Sequence, residues 1–208
     1  NLVDDPGSTP TGHAGAYLYD DDGVRAESIE LVRNGLVVDL AMSRVPRQDV
    51  RRSNGHARGE AARLTSWKIK PSGALGDRAF ARRVDRLRRD SELKRVLVVR
   101  RLRRDKAGTL VSPTDAVWRY PDGREEPVLA LEFQGVDRRT LHDVVGVGDG
   151  TRVMGYLGSW RPNQRPATTS GLPMVITAPD KVVVKNLELV FPGANEDPLV
   201  LPPPPTHP

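Results

Sequence analysis

The chain contains no cysteine. That excludes a disulfide framework, a thiolate zinc site, an iron–sulfur cluster and a cysteine nucleophile. It leaves the redox compartment open, because a chain without thiols is at home in any. Aromatic residues make up only 5% of the 208 residues, too few to interleave with the basic residues as a platform for unpaired bases. No apolar run approaches the roughly 18 residues that a membrane-spanning helix needs. The Gly-x-Ser-x-Gly elbow and the Gly-x-x-x-x-Gly-Lys-Ser/Thr phosphate loop are both missing. Gly146-Val147-Gly148-Asp149-Gly150 follows a helical pattern instead of opening one, so it reads as a turn. No signal peptide is recognisable, and the first residue is Asn1 in place of Met, so a processed or partial chain is expected.

What is present is a polar globular composition: 38% hydrophobic, 28% charged, net charge +5. Length alone allows one domain with its own core. The first 45 residues read as a β-meander, with Ala16-Tyr17-Leu18-Tyr19 as a strand and Asp20-Asp21-Asp22-Gly23 as a turn. An alternating strand from Glu27 to Arg33 turns at Asn34-Gly35, a strong hairpin signal, and returns over Leu36 to Met42. Residues 46–66 are a polar loop before a strand at Trp67 to Lys70. Asp77 is placed to cap a helix to about Asp90, with Phe80, Val84 and Leu87 as its apolar stripe. Leu93 to Leu102 reads as a buried strand, 116–133 as a hairpin, and Asp137 to Val145 as a second short helix. Strands at Val153 to Leu157, Leu172 to Thr177 and Val182 to Val190 follow. The expected architecture is α+β, mainly antiparallel β-sheet of sandwich or barrel type with two short helices. Residues 1–197 form the domain and 198–208 a Pro-rich tail.

Charge is distributed unevenly. Residues 81–106 hold twelve Lys/Arg against four acids, a net +8 that leaves the rest of the chain at −3. Such asymmetry is the footprint of a polyanion surface, here Arg82, Arg83, Arg86, Arg89, Arg100, Arg101, Arg103 and Arg104. A solvated face in an arginine-rich chain accounts for it more simply. The four histidines, His13, His56, His142 and His207, include no i, i+4 pair with a helical metal-site pattern. His13 and His56 lie in Gly-containing loops and would have to meet in space to hold a metal. Asp4-Asp5-Pro6 and Asp20-Asp21-Asp22-Gly23 lack the closing acid of a calcium loop, so turn chemistry accounts for both. The residues by themselves define no complete active site.

The order of several segments resembles the C-terminal domain of the TldD/PmbA family, metalloprotease-related proteins also called modulators of DNA gyrase. The resemblance is carried by Leu2-Val3-Asp4-Asp5-Pro6, Tyr19-Asp20-Asp21-Asp22-Gly23-Val24 and Arg33-Asn34-Gly35-Leu36. It continues through Ser43-Arg44, Ser53-Asn54-Gly55-His56-Ala57-Arg58 and Ser112-Pro113-Thr114-Asp115-Ala116-Val117. Asp122-Gly123, Pro127-Val128, Val144-Val145-Gly146-Val147-Gly148-Asp149, Ala178-Pro179 and Val182 to Leu189 complete the set. The resemblance implies a two-domain parent whose zinc-binding His-Glu-x-x-x-His helix lies upstream of this chain. It also implies a metal-completing Cys around residues 158–172, where this chain has none, and a Gly-rich segment where it has Arg100-Arg101-Leu102-Arg103-Arg104.

The resemblance therefore implies a PmbA-type partner subunit or degenerate paralogue: a non-catalytic wall and dimerisation domain of a cytoplasmic peptide-processing assembly. It would pair with itself or with a TldD/PmbA-like subunit. No cofactor is expected in this chain, with zinc possible only in the full-length family member. A peptide would be held by strand edges, which recruit an extended chain through main-chain hydrogen bonds. Ser53, Asn54, His56 and Arg58 are the candidate peptide contacts. A polyanion or nucleic acid bound through the basic segment 82–104 is the alternative, with nucleic acid the less expected partner and no membrane partner expected, and an active hydrolase with metal on His13 and His56 is a third expectation.

Overall fold

The structure, a computed structural model, describes residues 1–7, 15–45, 52–59, 61–104, 110–128, 130–134, 138–158 and 171–191. Along the chain run β1 (Leu2–Asp4), β2 (Ile29–Arg33), β3 (Leu36–Val37), β4 (Ala57–Arg58), β5 (Ala61–Ala62) and β6 (Ser66–Ile69). Then come α1 (Asp77–Asp90), β7 (Val96–Arg104), β8 (Leu110–Arg119), β9 (Glu125–Pro127) and β10 (Glu132–Gln134). A 3-10 helix (Arg138–Asp143) precedes β11 (Val144–Val147), β12 (Thr151–Gly158), β13 (Leu172–Pro179), β14 (Val182–Val184) and β15 (Glu188–Val190).

The chain divides into two compact units. One comprises Asn1–Val84 with Val145–Val183, the other Asp85–Val144 with Val184–Pro208. The first unit is built on a six-stranded sheet of order β12-β13-β6-β1-β2-β3. Its pairings are antiparallel except β13 with β6, which is parallel. Parallel neighbours need a long connection, and here more than a hundred residues of chain separate them. Ile29 and Leu31 alternate inward from β2 and are buried, joined by Met42, Ala57, Leu172 and Val175. The second unit holds the three-stranded sheet β7-β8-β9, in which Ala116 and Val117 are buried, and the pair β10-β15.

Local chemistry explains the elements. Asn34 and Gly35 both take positive φ, 50° and 83°, as a two-residue hairpin turn of the twist-matching kind requires. Helix α1 runs over the expected span, but Asp77 is its first residue. The carbonyl of Gly76 accepts from Phe80 N–H, and the Asp77 carboxylate takes Lys181 at 2.5 Å. The helix ends in a Schellman arrangement: Leu93 N–H donates to Arg88 O and Glu92 N–H to Arg89 O, with Glu92 at φ 53°.

Several expectations are corrected. Among the described residues there is one α-helix, and the second helical segment is a six-residue 3-10 turn that gives way to Val144-Val145, whose β-branched side chains favour a strand. No barrel closes among the described residues, because the large sheet is open at β12 and β3. Ala16 to Tyr19 contributes only a Tyr19–Arg25 bridge, not a strand. The return strand stops at Val37, since Asp39 and the residues after it leave the sheet to place Met42 inside. The strand expected to be buried starts at Val96 and is half-buried. Asn186, at φ 55°, splits the last strand into β14 and β15. The loop at 161–170 and the tail 198–208 lie outside the described residues.

Glu92 is a non-glycine residue in the left-handed position that terminates α1. A Glu92→Gly variant is expected to be more stable by about 1 kcal/mol in a denaturant melt, because glycine meets no Cβ penalty there.

Candidate functional site

The polar loop before β4 is assembled around three backbone-directed side chains. Asn54 Oδ1 accepts from Met42 N–H at 2.7 Å, and its Nδ2 donates to Leu40 O at 2.9 Å. Ser53 Oγ donates to Met42 O at 3.2 Å and accepts from Gly55 N–H at 3.2 Å. Asp20, nearly enclosed, accepts Asp22 and Val24 N–H on Oδ1 and Ala57 N–H on Oδ2. Gly55 has φ 75°, and a Cβ there would stand 2.2 Å from Arg25 O, so only glycine fits.

This frame drives His56 into the interior at 0% exposure beside Asp4, also at 0%. His56 Nδ1 faces two oxygens of Asn54, the carbonyl at 3.0 Å and Oδ1 at 2.9 Å. Both are acceptors, since the amide is oriented by Met42 and Leu40, so Nδ1 is the donor. Nε2 lies 3.1 Å from Asp4 Oδ2, off the line of a good hydrogen bond. Asp4 also accepts Ser66 N–H at 2.7 Å on Oδ1 and Thr65 N–H at 3.4 Å on Oδ2. A buried carboxylate without such partners would be very costly.

Tyr17 closes the cluster, its hydroxyl donating to Gly55 O at 3.1 Å. Burial, aided by the Asp4 charge, pushes its phenol well above the usual range. The Arg58 guanidinium lies 3.9 Å over the Tyr17 ring and 3.0 Å from Asp21 Oδ1, a cation held by a π-face and a carboxylate. Asp21 also accepts Gly59 N–H at 2.6 Å. That backbone bond, with help from Arg58, holds its carboxyl below the ordinary value.

The candidate peptide contacts thus divide. Asn54 and His56 are buried and bonded within the loop, while Ser53 and Arg58 lie nearer its surface. In the basic segment, Arg89 pairs with Asp85, Arg100 with Glu125 at 2.5 Å, and Arg83 Nε donates to Val145 O at 3.3 Å. Arg82, Arg86, Arg101 and Arg103 have no acid within reach among the described residues, and the Arg104 side chain is outside them. Sequence reasoning missed Asp4, Tyr17 and Asp20 as members of the cluster. Asp20 carried a signal, the Asx turn of an Asp-x-x-Gly run. Asp4 carried none, since 52 positions separate it from His56.

The described residues do not fit the zinc that the resemblance brings to mind. No group of three metal-ligating side chains occurs among them. His56 Nδ1 is taken by Asn54 and its Nε2 is enclosed against Asp4 at 0% exposure, His142 is exposed on the 3-10 helix, and His13 and His207 lie outside the described residues.

The sequence matches the profile of the PmbA/TldA metallopeptidase C-terminal domain over residues 1–188, and the chain belongs to that family. Among solved structures it is similar to a Thermotoga maritima protein described as a proposed modulator of a DNA gyrase, with a TM-score of 0.59 at 16% identity. That likeness speaks to the fold; it covers 91% of this chain and 38% of the other, so the chain spans well under half of that relative. No curated protein matches the sequence.

Asp4→Ala is expected to lower stability by about 1–3 kcal/mol, because it leaves the buried Ser66 and Thr65 amides without their acceptor, measured by chemical denaturation. Because the Asp21 pKa is depressed by folding, its contribution is complete above the usual carboxylate range and is lost as pH falls through it. The stability gap between the protein and Asp21→Asn should therefore close on acidification; a gap that widens would contradict the assignment.

Proposed function

We propose that this chain is a non-cleaving wall and dimerisation domain of a peptide-processing assembly in the cytoplasm, built with a second PmbA/TldD-like subunit. The zinc and the cleavage chemistry of such an assembly would come from elsewhere in it. The observation that carries the reading is β12. This eight-residue strand is an edge of the six-stranded sheet, and its outer side is unpaired among the described residues. Val153, Met154 and Leu157 are about half exposed along it. A long edge with apolar side chains on it is a template for another strand, and main-chain bonding accepts peptides without demanding a sequence. In the loop of Ser53, Asn54, His56 and Arg58, the half-buried Ser53 and Arg58 offer the polar contacts, and the buried Asn54 and His56 hold them from behind with the Asp4 cluster. No helix among the described residues is long and apolar enough to cross a membrane.

The test is sedimentation of the chain together with titration of an extended, uncharged peptide followed by isothermal calorimetry. A self-association or peptide affinity that falls at least about tenfold in Val153→Lys/Leu157→Lys is expected, because charge on an edge blocks strand addition. A chain that stays monomeric at high concentration and binds no peptide would overturn the reading.

A further inference from the structure

We propose that the exposed arginine face of α1 is a docking surface for the phosphate backbone of duplex nucleic acid. Arg78, Arg82 and Arg86 recur at every fourth residue of one continuous helix and are exposed. At 1.5 Å per residue they stand about 6 Å apart along its axis, on the side opposite Phe80, Val84 and Leu87. Arg89 joins the same face one turn further on. Asp85 lies among them, but its oxygens are taken by Arg88 and Arg89.

Many arginines elsewhere have acid partners: Arg33 with Glu30, Arg52 with Glu27, Arg58 with Asp21, and Arg100 and Arg119 with Glu125. Arg101 and Arg103 of β7 have none among the described residues, but they are not part of a row on one helix face. Arg78, Arg82 and Arg86 have no acid partner among the described residues. Like charges at i, i+4 weaken a helix, so the row opposes the element that carries it, and its complement is an anion supplied from outside.

The chemistry selects the occupant. Every cation on α1 is arginine, whose planar fork grips phosphate oxygens in pairs. A duplex offers one charge per about 1.7 Å of axis, so a straight row meets phosphates at any register. The arginine face carries no aromatic side chain on which an unpaired base could stack, which favours a duplex over a single strand. An anionic membrane would call for apolar anchors beside the cations, and those of α1 are on its other side. The inference is independent of the strand edge and of the peptide reading.

The test uses the whole chain and a labelled mixed-sequence DNA duplex, followed by fluorescence anisotropy between about 50 and 200 mM salt. Binding should be insensitive to sequence and steeply salt-dependent. Arg78→Gln/Arg82→Gln/Arg86→Gln should bind at least about tenfold more weakly at the lowest salt and flatten the log–log salt slope by about three, one per arginine removed. The matching triple lysine variant should recover most of the affinity, since it restores the charge on the same helix. Four results would overturn the proposal: no duplex binding by the unaltered chain, equal binding by the glutamine variant, a lysine variant as weak as the glutamine one, or preference for a single strand or for phosphatidylserine vesicles over the duplex.

Discussion

A carboxylate sealed from water at Asp4 is the constraint on which the first unit depends. Its oxygens must be satisfied inside the protein, because an isolated charge in that environment would outweigh most of the folding free energy. Ser66 and Thr65 amides meet that demand, with the His56 ring packed beside Oδ2. In doing so they fix β1 between β6 and β2 and hold the loop before β4 against it. The largest fully buried side chains include His56, Thr65, Asp4 and Ser66 alongside Met42. The interior is therefore specified by polar geometry as much as by apolar volume, and a polar core of this kind tolerates few alternative arrangements.

The loop that carries Ser53 to Arg58 gains its rigidity from the same source. Asn54, Ser53 and Asp20 act as substitutes for a missing backbone ladder, each satisfying amides or carbonyls that no strand pairs. Gly55 permits the close passage of Arg25. A loop tied down at this many backbone groups has little freedom to rearrange.

The second unit uses charge differently. Glu125 and Glu126 collect Arg95, Arg100, Arg119 and Arg124 on the β7-β8-β9 sheet, and Arg95 lies 4.3 Å over Trp118. These contacts are exposed, so each adds little; their effect is to neutralise arginines that would otherwise repel. On α1, Arg88 and Arg89 share Asp85, while Arg78, Arg82 and Arg86 have no acid partner among the described residues. Part of the basic character visible along residues 81–106 is thus offset between neighbours, and Arg82, Arg86, Arg101 and Arg103 are among the members of the segment that have no acid partner among the described residues.

Local signals were legible wherever a short stretch of chain decides its own geometry. The Asn34-Gly35 turn, the span of α1, the Asp20 turn, β12 and β13 all follow from positive-φ residues, periodicity or capping within a few positions. The family itself was legible from the order of its segments. Partners distant in sequence were not: the parallel seam of β13 with β6, the 3-10 turn where a helix was expected, and the burial of His56 all depend on what folds against them. The sequence by itself determined the α+β, strand-rich character and the basic helix. Only the tertiary structure decided that Asp4 and His56 share a dry site and which arginines are neutralised, because charge and burial depend on neighbours that chain order does not record.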